Sequence, residues 1–426
     1  MKGVSWVLAR RDPRAPGDGF GSGLGSAADL GYRVRMARSV LSAATRALVF
    51  GVSLFALSAC GESSSGSGGS GGSGADPTGE AGANPTGGAG GTGGSSSGGG
   101  SGGGLVAGAD ATVVPFDKTH VFFTGDENKR IVDAPASFPA EGAYSQIILH
   151  FALDCPTGGC DAWDRFATLG IVTAKGETAE QDTVIEVARF ITPYKVKGAW
   201  DLDVTELRPL LSGDVTMRAF IDTWVGPGSP YGAGWLVTAS FEMKGGIPAK
   251  VPVAAIPVWD RRYVAYGDPA KPLTESVPTQ EVALPPGSSF ALRTFITGHG
   301  QGNLGNCAEF CKRDHTLVVG SALHTLNVWR DDCPETGVPG QQGTWKYARA
   351  GWCPGADVRP WTMDVTADLA GLDAVNIGYG VEDYENTCRP DAPECKGCSL
   401  GGGCDYDGGT HTEPNYQVSS LLIAYQ

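Results

Sequence analysis

The sequence predicts an all-β fold of antiparallel β-sandwiches or jelly rolls, arranged as two domains behind a long unfolded leader. Three observations carry this. From Val113 onward short apolar runs alternate with polar or Pro/Gly breaks, helical periodicity is scarce, and the glycine excess lies in one segment ahead of the runs. The chain has 426 residues and 65 glycines, too many for one that folds throughout, and they concentrate between Gly61 and Gly104. Beyond that segment about 315 residues remain, enough for about two domains with their own cores.

The first element is an address. Arginines at 33, 35, 38 and 46 precede the apolar run ALVFGVSLFAL at 47–57, and Leu-Ser-Ala-Cys closes it at 57–60. The run is too short to span a membrane. Residues 1–60 resemble a bacterial lipoprotein signal peptide, which would lipidate Cys60; a plain secretory signal with a chance cysteine is the alternative, and both export the protein. Met36 is a second candidate start. Residues 61–111 are expected to form a flexible tether, Gly/Ser-rich up to 104, with an internal echo in GADPTGEA at 74–81 and GANPTGGA at 82–89. The reach of its 61–104 part would be roughly 35 Å. A tether behind a lipid predicts a protein exported and anchored at the bacterial outer membrane or cell surface.

Strands are expected at 146–153, 183–192, 215–225, 235–244, 289–297, 315–320, 325–329, 375–381 and 419–425, and single helical turns at 204–211 and 365–369, each opened by a Thr able to cap it. The Pro-rich, weakly patterned stretch 245–257 places a domain boundary near 247, giving domains at 112–247 and 248–426.

Charge limits the partners. The formal net charge is -14, and beyond residue 59 there are 24 basic against 43 acidic side chains, a net of -19. No basic cluster suited to nucleic acid is visible, and the membrane is reached only through the Cys60 anchor. Six scattered histidines and five methionines supply neither a paired metal-ligand spacing nor the ligand set of a copper monooxygenase, so neither a metal nor a cofactor is implied. His150 reads as a satisfied core or edge residue. No Gly-x-Ser-x-Gly elbow occurs in the folded part.

Of the 11 cysteines, ten remain after Cys60, an even number that fits disulfides in an exported chain. The expected pairs are Cys155 with Cys160, Cys307 with Cys311, and Cys333 with Cys353. Cys388, Cys395, Cys398 and Cys404 sit in a Gly-rich loop at 388–404, where three pairings, or a tetrahedral zinc site, stay open.

Three clusters join carboxylates to aromatic and basic groups beside such constraints. GCDAWDRF at 159–166 carries Trp163, Asp164 and Arg165; FIDTW at 220–224 carries Asp222 and Trp224; NCAEFC at 306–311 carries Glu309. ARAGWCPG at 348–355 adds Arg349 and Trp352. Rigid loops with carboxylates, arginines and indoles suit a sugar site, because indole faces stack on pyranose rings while charged forks bind hydroxyls. Each cluster alone is equally a surface ion pair with a packed Trp.

CPTGGCDAWDRFATLGIV, FITPY, the TW of FIDTW, GHG at 298–300, NCAEFC and ARAGWCPG, in this order over 112–426, together resemble the peptide-N-glycosidase F family of bacterial amidases. The resemblance implies two side-by-side eight-stranded jelly rolls with the site at their interface. It implies cleavage of the bond between the Asn side-chain nitrogen and the innermost N-acetylglucosamine of N-linked glycoproteins or glycopeptides, without metal, by a monomer. Carried over, Asp164 and Glu309 are the expected catalytic carboxylates with Asp222 as a third, and Arg165, Trp163, Trp224, Arg349 and Trp352 are expected to bind substrate. Asp222 departs from the family, which has a glutamate there. The cysteine loop at 388–404 is a second departure. A cell-surface lectin derived from such an enzyme is the competing expectation.

Overall fold

The computed structural model describes residues 105–302, 307–387, 389, 405–406, 409–410 and 412–426. Cys60, the signal segment, nearly all of the tether and the 388–404 cysteines lie outside the described residues. The chain is all-β and antiparallel within its sheets. Its first strands are β1 (Ala111–Phe123), β2 (Asn128–Lys129), β3 (Ile131–Phe138), β4 (Tyr144–Asp154), β5 (Phe166–Ala174), β6 (Thr183–Ile191), β7 (Gly198–Asp203), β8 (Gly213–Ile221) and β9 (Trp235–Gly245). Then come β10 (Pro252–Ala265), β11 (Gln280–Ala283), β12 (Ser289–Gln301), β13 (Asp314–Val319), β14 (Ala322–Asn327), β15 (Trp329–Arg330), β16 (Arg349–Ala350), β17 (Ala356–Asp357), β18 (Trp361–Asp364) and β19 (Ala374–Val381). The short β20 (Asp405–Tyr406) and β21 (Gly409–Thr410) precede the long closing strand β22 (Thr412–Tyr425).

Two five-stranded sheets, β2-β1-β9-β4-β7 and β17-β6-β5-β8-β3, face each other across one core; two four-stranded sheets, β10-β22-β12-β18 and β11-β19-β13-β14, enclose a second. Alternation along each strand decides which side chains go in. In β8, Met217, Ala219 and Ile221 are buried in the first core, so Arg218 and Phe220 face the other way. The last strand serves both cores by the same rule: Tyr416, Val418 and Leu422 enter the second while Leu421 and Ile423 enter the first.

That sharing ties the halves of the chain together. β17 adds to the first-half sheet by pairing with β6. At the same seam the buried Arg189 guanidinium donates to Glu186, Thr297 Oγ1 and the Gln417 carbonyl, and the buried Arg293 donates to the Val187 carbonyl and pairs with Glu206. Any group carried by 160–166 is thereby fixed against any group carried by 307–352.

The expected Thr caps are corrected. The 204–211 stretch holds only a 3-10 turn, Thr205–Leu207, and 365–369 is a hydrogen-bonded turn. Neither Thr caps a helix. Thr205 Oγ1 accepts the Ile147 amide at 2.8 Å and Thr366 Oγ1 accepts the Phe290 amide at 2.9 Å, so a repeated Asp-Val-Thr corner, at 203–205 and 364–366, terminates a strand in each half. Within the weakly patterned stretch 245–257, β10 begins at Pro252. β10 is an edge strand with register breaks near both prolines, the setting in which a missing backbone donor is tolerated. His150 faces outward from β4, its ring nitrogens against Asp201 and Glu242, and the hydrogen bond to Asp201 raises its pKa.

Candidate active site

Two small disulfide loops present the carboxylates, and both disulfides form as expected, Cys155–Cys160 and Cys307–Cys311, together with Cys333–Cys353. The first loop is organised by Asp161, which has no solvent exposure. Its carboxylate accepts from the Trp163 amide (3.0 Å), Arg165 Nε (2.8 Å) and Thr223 Oγ1 (2.6 Å), while its carbonyl accepts the Lys195 amide. Leaving a buried carboxylate without such partners would be costly. The result is a fixed turn that delivers Asp164 just before β5.

The second loop hangs between two strands: the Glu309 amide donates to the Gly300 carbonyl of β12, and the Glu309 carbonyl accepts the Ala350 amide of β16. Arg349, next to Ala350, is 1% exposed and joins the two loops. Its Nε donates to Glu309 Oε1 at 2.9 Å and its Nη2 lies 3.8 Å from Asp164 Oδ2. Thr344 and the Tyr347 carbonyl take its remaining donors, and the guanidinium is sandwiched near the Phe310 and Trp352 rings. Asp164, Glu309 and Arg349 line one cleft of about 260 Å³ together with Phe166, Tyr194, His299 and Trp352.

Electrostatics follow from burial. Desolvation pushes the Asp164 carboxyl above its ordinary value, with Arg349 and a Tyr194 hydroxyl contact pulling the other way. Burial raises Glu309 to about 7 against the pull of Arg349, and the nearby Asp164 charge adds to the rise. Burial keeps Tyr194 protonated by raising its pKa, and drops His299 to about 3, so that imidazole is neutral. His299 stacks on Trp352, and its Nε2 pairs with Thr297 Oγ1 at 2.8 Å. Such a site can hold a proton on one carboxyl and a charge on the other near neutral pH.

The other expected residues are placed differently. Arg165 spends its guanidinium on Asp161, inside the loop. Trp352 is 3% exposed and gives its indole N–H to the Gly298 carbonyl, which makes it a wall of the cleft rather than an open platform. Trp163 and Trp224 are about half exposed. Asp222 does not line the cleft; it lies beyond Phe166, whose carbonyl accepts the Asp222 amide, and its side chain pairs with Arg130 at 3.2 Å, while Arg130 covers the Trp224 ring. Among the described residues no group of three or more His, Cys, Asp or Glu side chains converges to hold a metal ion.

Sequence reasoning assigned no role to Asp161, Tyr194, His299 or Thr344. Tyr194 and His299 stood inside the FITPY and GHG segments, and Asp161 adjoined a cysteine, so each carried a signal without a function attached.

The same two-part construction is found in known proteins. Sequence profiles of the N-terminal and C-terminal parts of peptide-N-glycosidase F match residues 170–230 and 276–396. A peptide-N(4)-(N-acetyl-beta-D-glucosaminyl)asparagine amidase F of Elizabethkingia miricola is 29% identical over 346 residues, 75% of this chain and 85% of that protein. Both parts of the chain are thus similar to the peptide-N-glycosidase F family. The solved structure of PNGase F from Flavobacterium meningosepticum, described as a glycosylasparaginase, superposes with a TM-score of 0.60 at 25% identity, over 74% of this chain and 96% of that one. PNGF-II shares the fold, with a TM-score of 0.52 at 17% identity, over 74% of this chain and 65% of that one. The antiparallel sheets of this chain thus agree with the peptide-N-glycosidase F jelly-roll fold.

Proposed function

We propose that this protein hydrolyses the amide between the Asn side chain and the innermost N-acetylglucosamine of N-linked glycoproteins or glycopeptides, releasing the glycan and leaving Asp. The observation that carries this reading is the meeting of Asp164 and Glu309 on Arg349 in one cleft, in a chain similar to this family. A lectin has no use for two opposed, proton-holding carboxyls, and nothing in the fold favours that alternative.

Amide hydrolysis needs water activated for attack on the side-chain carbonyl carbon and a proton for the departing nitrogen. Two like charges beside one guanidinium do not both persist, so one proton stays on the pair. Arg349 donates directly to Glu309 and stands off from Asp164, which favours charge on Glu309 and the proton on Asp164. Glu309 then takes a proton from the attacking water, Asp164 gives one to the nitrogen as the C–N bond breaks, and the products are a glycosylamine and an Asp carboxyl. Arg349 holds both groups in register and steadies charge developing on the carbonyl oxygen. Exposed Trp163 and Trp224 suit stacking on the sugars.

The sequence supports an exported, Cys60-anchored protein, and three disulfides are at home in an oxidising compartment. Incubation of the full-length protein with a denatured N-glycoprotein, followed by mass spectrometry, tests the reaction: each former glycosylation site should gain about one mass unit relative to Asn. A residual N-acetylglucosamine on Asn would refute the amidase.

A further inference from the structure

A cavity of about 480 Å³, larger than the reaction cleft, opens on the outward face of the β3-β8-β5-β6 sheet. Strand alternation creates it. With Met217, Ala219 and Ile221 turned into the core, Arg218 and Phe220 of β8 face out beside Ile131 and Asp133 of β3 and Val184 and Glu186 of β6. Arg218 is locked as a wall by Asp133 (2.6 Å from Nε) and Asp182 (2.6 Å from Nη2).

Arg261 of β10 is different. Its side chain lies over the Phe166 and Phe220 rings, 5.1 and 5.0 Å from their centres, and it is exposed. It makes no hydrogen bond or ion pair among the described residues. Phe166 also lines the Asp164/Glu309 cleft, so one ring both walls that cleft and packs against Arg261 of the cavity. On the rim, Arg130 lines the cavity, pairs with Asp222 and covers the half-exposed Trp224.

We propose that this cavity binds the outer, neutral hexoses of the glycan whose innermost bond lies in the reaction cleft, with Arg261 as the residue that reads them. The proposal rests on the amidase reading for the position of the innermost sugar. A free guanidinium fork beside carboxylates and aromatic rings matches the alternating hydroxyl and apolar faces of a hexose. The volume falls in the range of ligand sites, about 300–1,000 Å³. Five carboxylates line the cavity against three guanidinium groups, which disfavours an acidic sugar.

The test uses the full-length protein and two glycopeptides of identical peptide, one with a complete neutral hexose-rich glycan and one trimmed to its two innermost N-acetylglucosamines. The expected result is a kcat/KM about tenfold higher for the complete glycan, lost in Arg261→Gln through KM with kcat kept, and no change for the trimmed one. Equal effects of Arg261→Gln on both substrates, no preference in the unaltered protein, or a preference for a glycan capped with acidic sugars would overturn it. If neither substrate is cleaved, the amidase reading fails by itself. Calorimetric titration with the free complete glycan then decides the cavity: affinity weakened about tenfold in Arg261→Gln supports it, and unchanged affinity overturns it.

Discussion

Around Arg349 a guanidinium 1% exposed holds carboxylates 20% and 14% exposed beneath a buried Trp352; around Arg130 the partners are an Asp222 side chain 45% exposed and a half-exposed Trp224. The residue types are the same. Their surroundings separate them: in the first place desolvation lifts Asp164 and drives Glu309 to about 7, while in the second solvent screens a single ion pair. Burial, more than composition, lets one acid–arginine–tryptophan trio hold a proton near neutral pH. The outer trio is left to hold an aromatic face in position.

The largest expected effect breaks the inner trio. Asp164→Asn keeps size and most hydrogen bonds but cannot exchange a proton, so kcat should fall at least about a hundredfold with little change in KM; Glu309→Gln should follow it. Measured beside them, Asp222→Asn should cost less than about fivefold. If Asp164→Asn kept its turnover and only lost glycan affinity, the contrast between the trios would vanish and a lectin would replace the enzyme. Arg349→Lys comes next. A lysine keeps the charge but cannot reach Glu309, Asp164 and two backbone carbonyls at once, so loss of activity should be accompanied by a thermal destabilisation of roughly 3 kcal/mol or more.

The fold was largely legible because alternation, turns and the scarcity of helix are local signals. Strand β10 was hidden by Pro252 and Pro257, tolerated only because it lies at a sheet edge, and edge status is a property of the assembled sheet. At the site, Asp164, Glu309 and Arg349 were legible through their motifs. The partition of the arginines was not. Arg165 and Arg349 each adjoin an aromatic segment in sequence, yet one is consumed by Asp161 and the other bridges two loops 145 residues apart, from Asp164 to Glu309. Long-range partners of that kind leave no periodic trace. Trp352 likewise read as a stacking platform, because the Gly298 carbonyl that binds its indole lies 54 residues away.

A smaller effect sharpens the comparison through pH. Glu309 rises from 4.5 to about 7 in the folded protein, so the native state keeps a proton that the unfolded chain releases. Its contribution to stability is therefore full below about 4.5 and is lost as pH rises through about 7. Thermal unfolding should show the unaltered protein losing roughly 2–6 °C relative to Glu309→Gln between these limits. The rise of kcat on the acid side should centre near 7, a value that belongs to the Asp164/Glu309 pair. A difference between the two proteins that did not vary with pH would mean Glu309 titrates as it does in water, and burial would no longer distinguish the trios.

The smallest expected effect comes from Asp222→Glu, which restores the acid that the family resemblance implies. Asp222 follows β8, its amide held by the Phe166 carbonyl and its carboxylate facing Arg130 in solvent. A side chain one methylene longer has room to extend outward, so neither crowding nor a new contact with the Asp164/Glu309 pair is expected. KM should move by no more than about threefold and kcat by less than about twofold, the scale of adjusting an exposed ion pair. Arg130→Ala should act in the same direction or slightly more strongly, because it frees the Trp224 ring as well as the carboxylate. A tenfold rise of kcat in Asp222→Glu would show that the longer acid reaches the reacting atoms. The shorter Asp222 would then be an attenuated third catalytic carboxylate, and the line drawn between the buried and the solvated trio would have to move to include it.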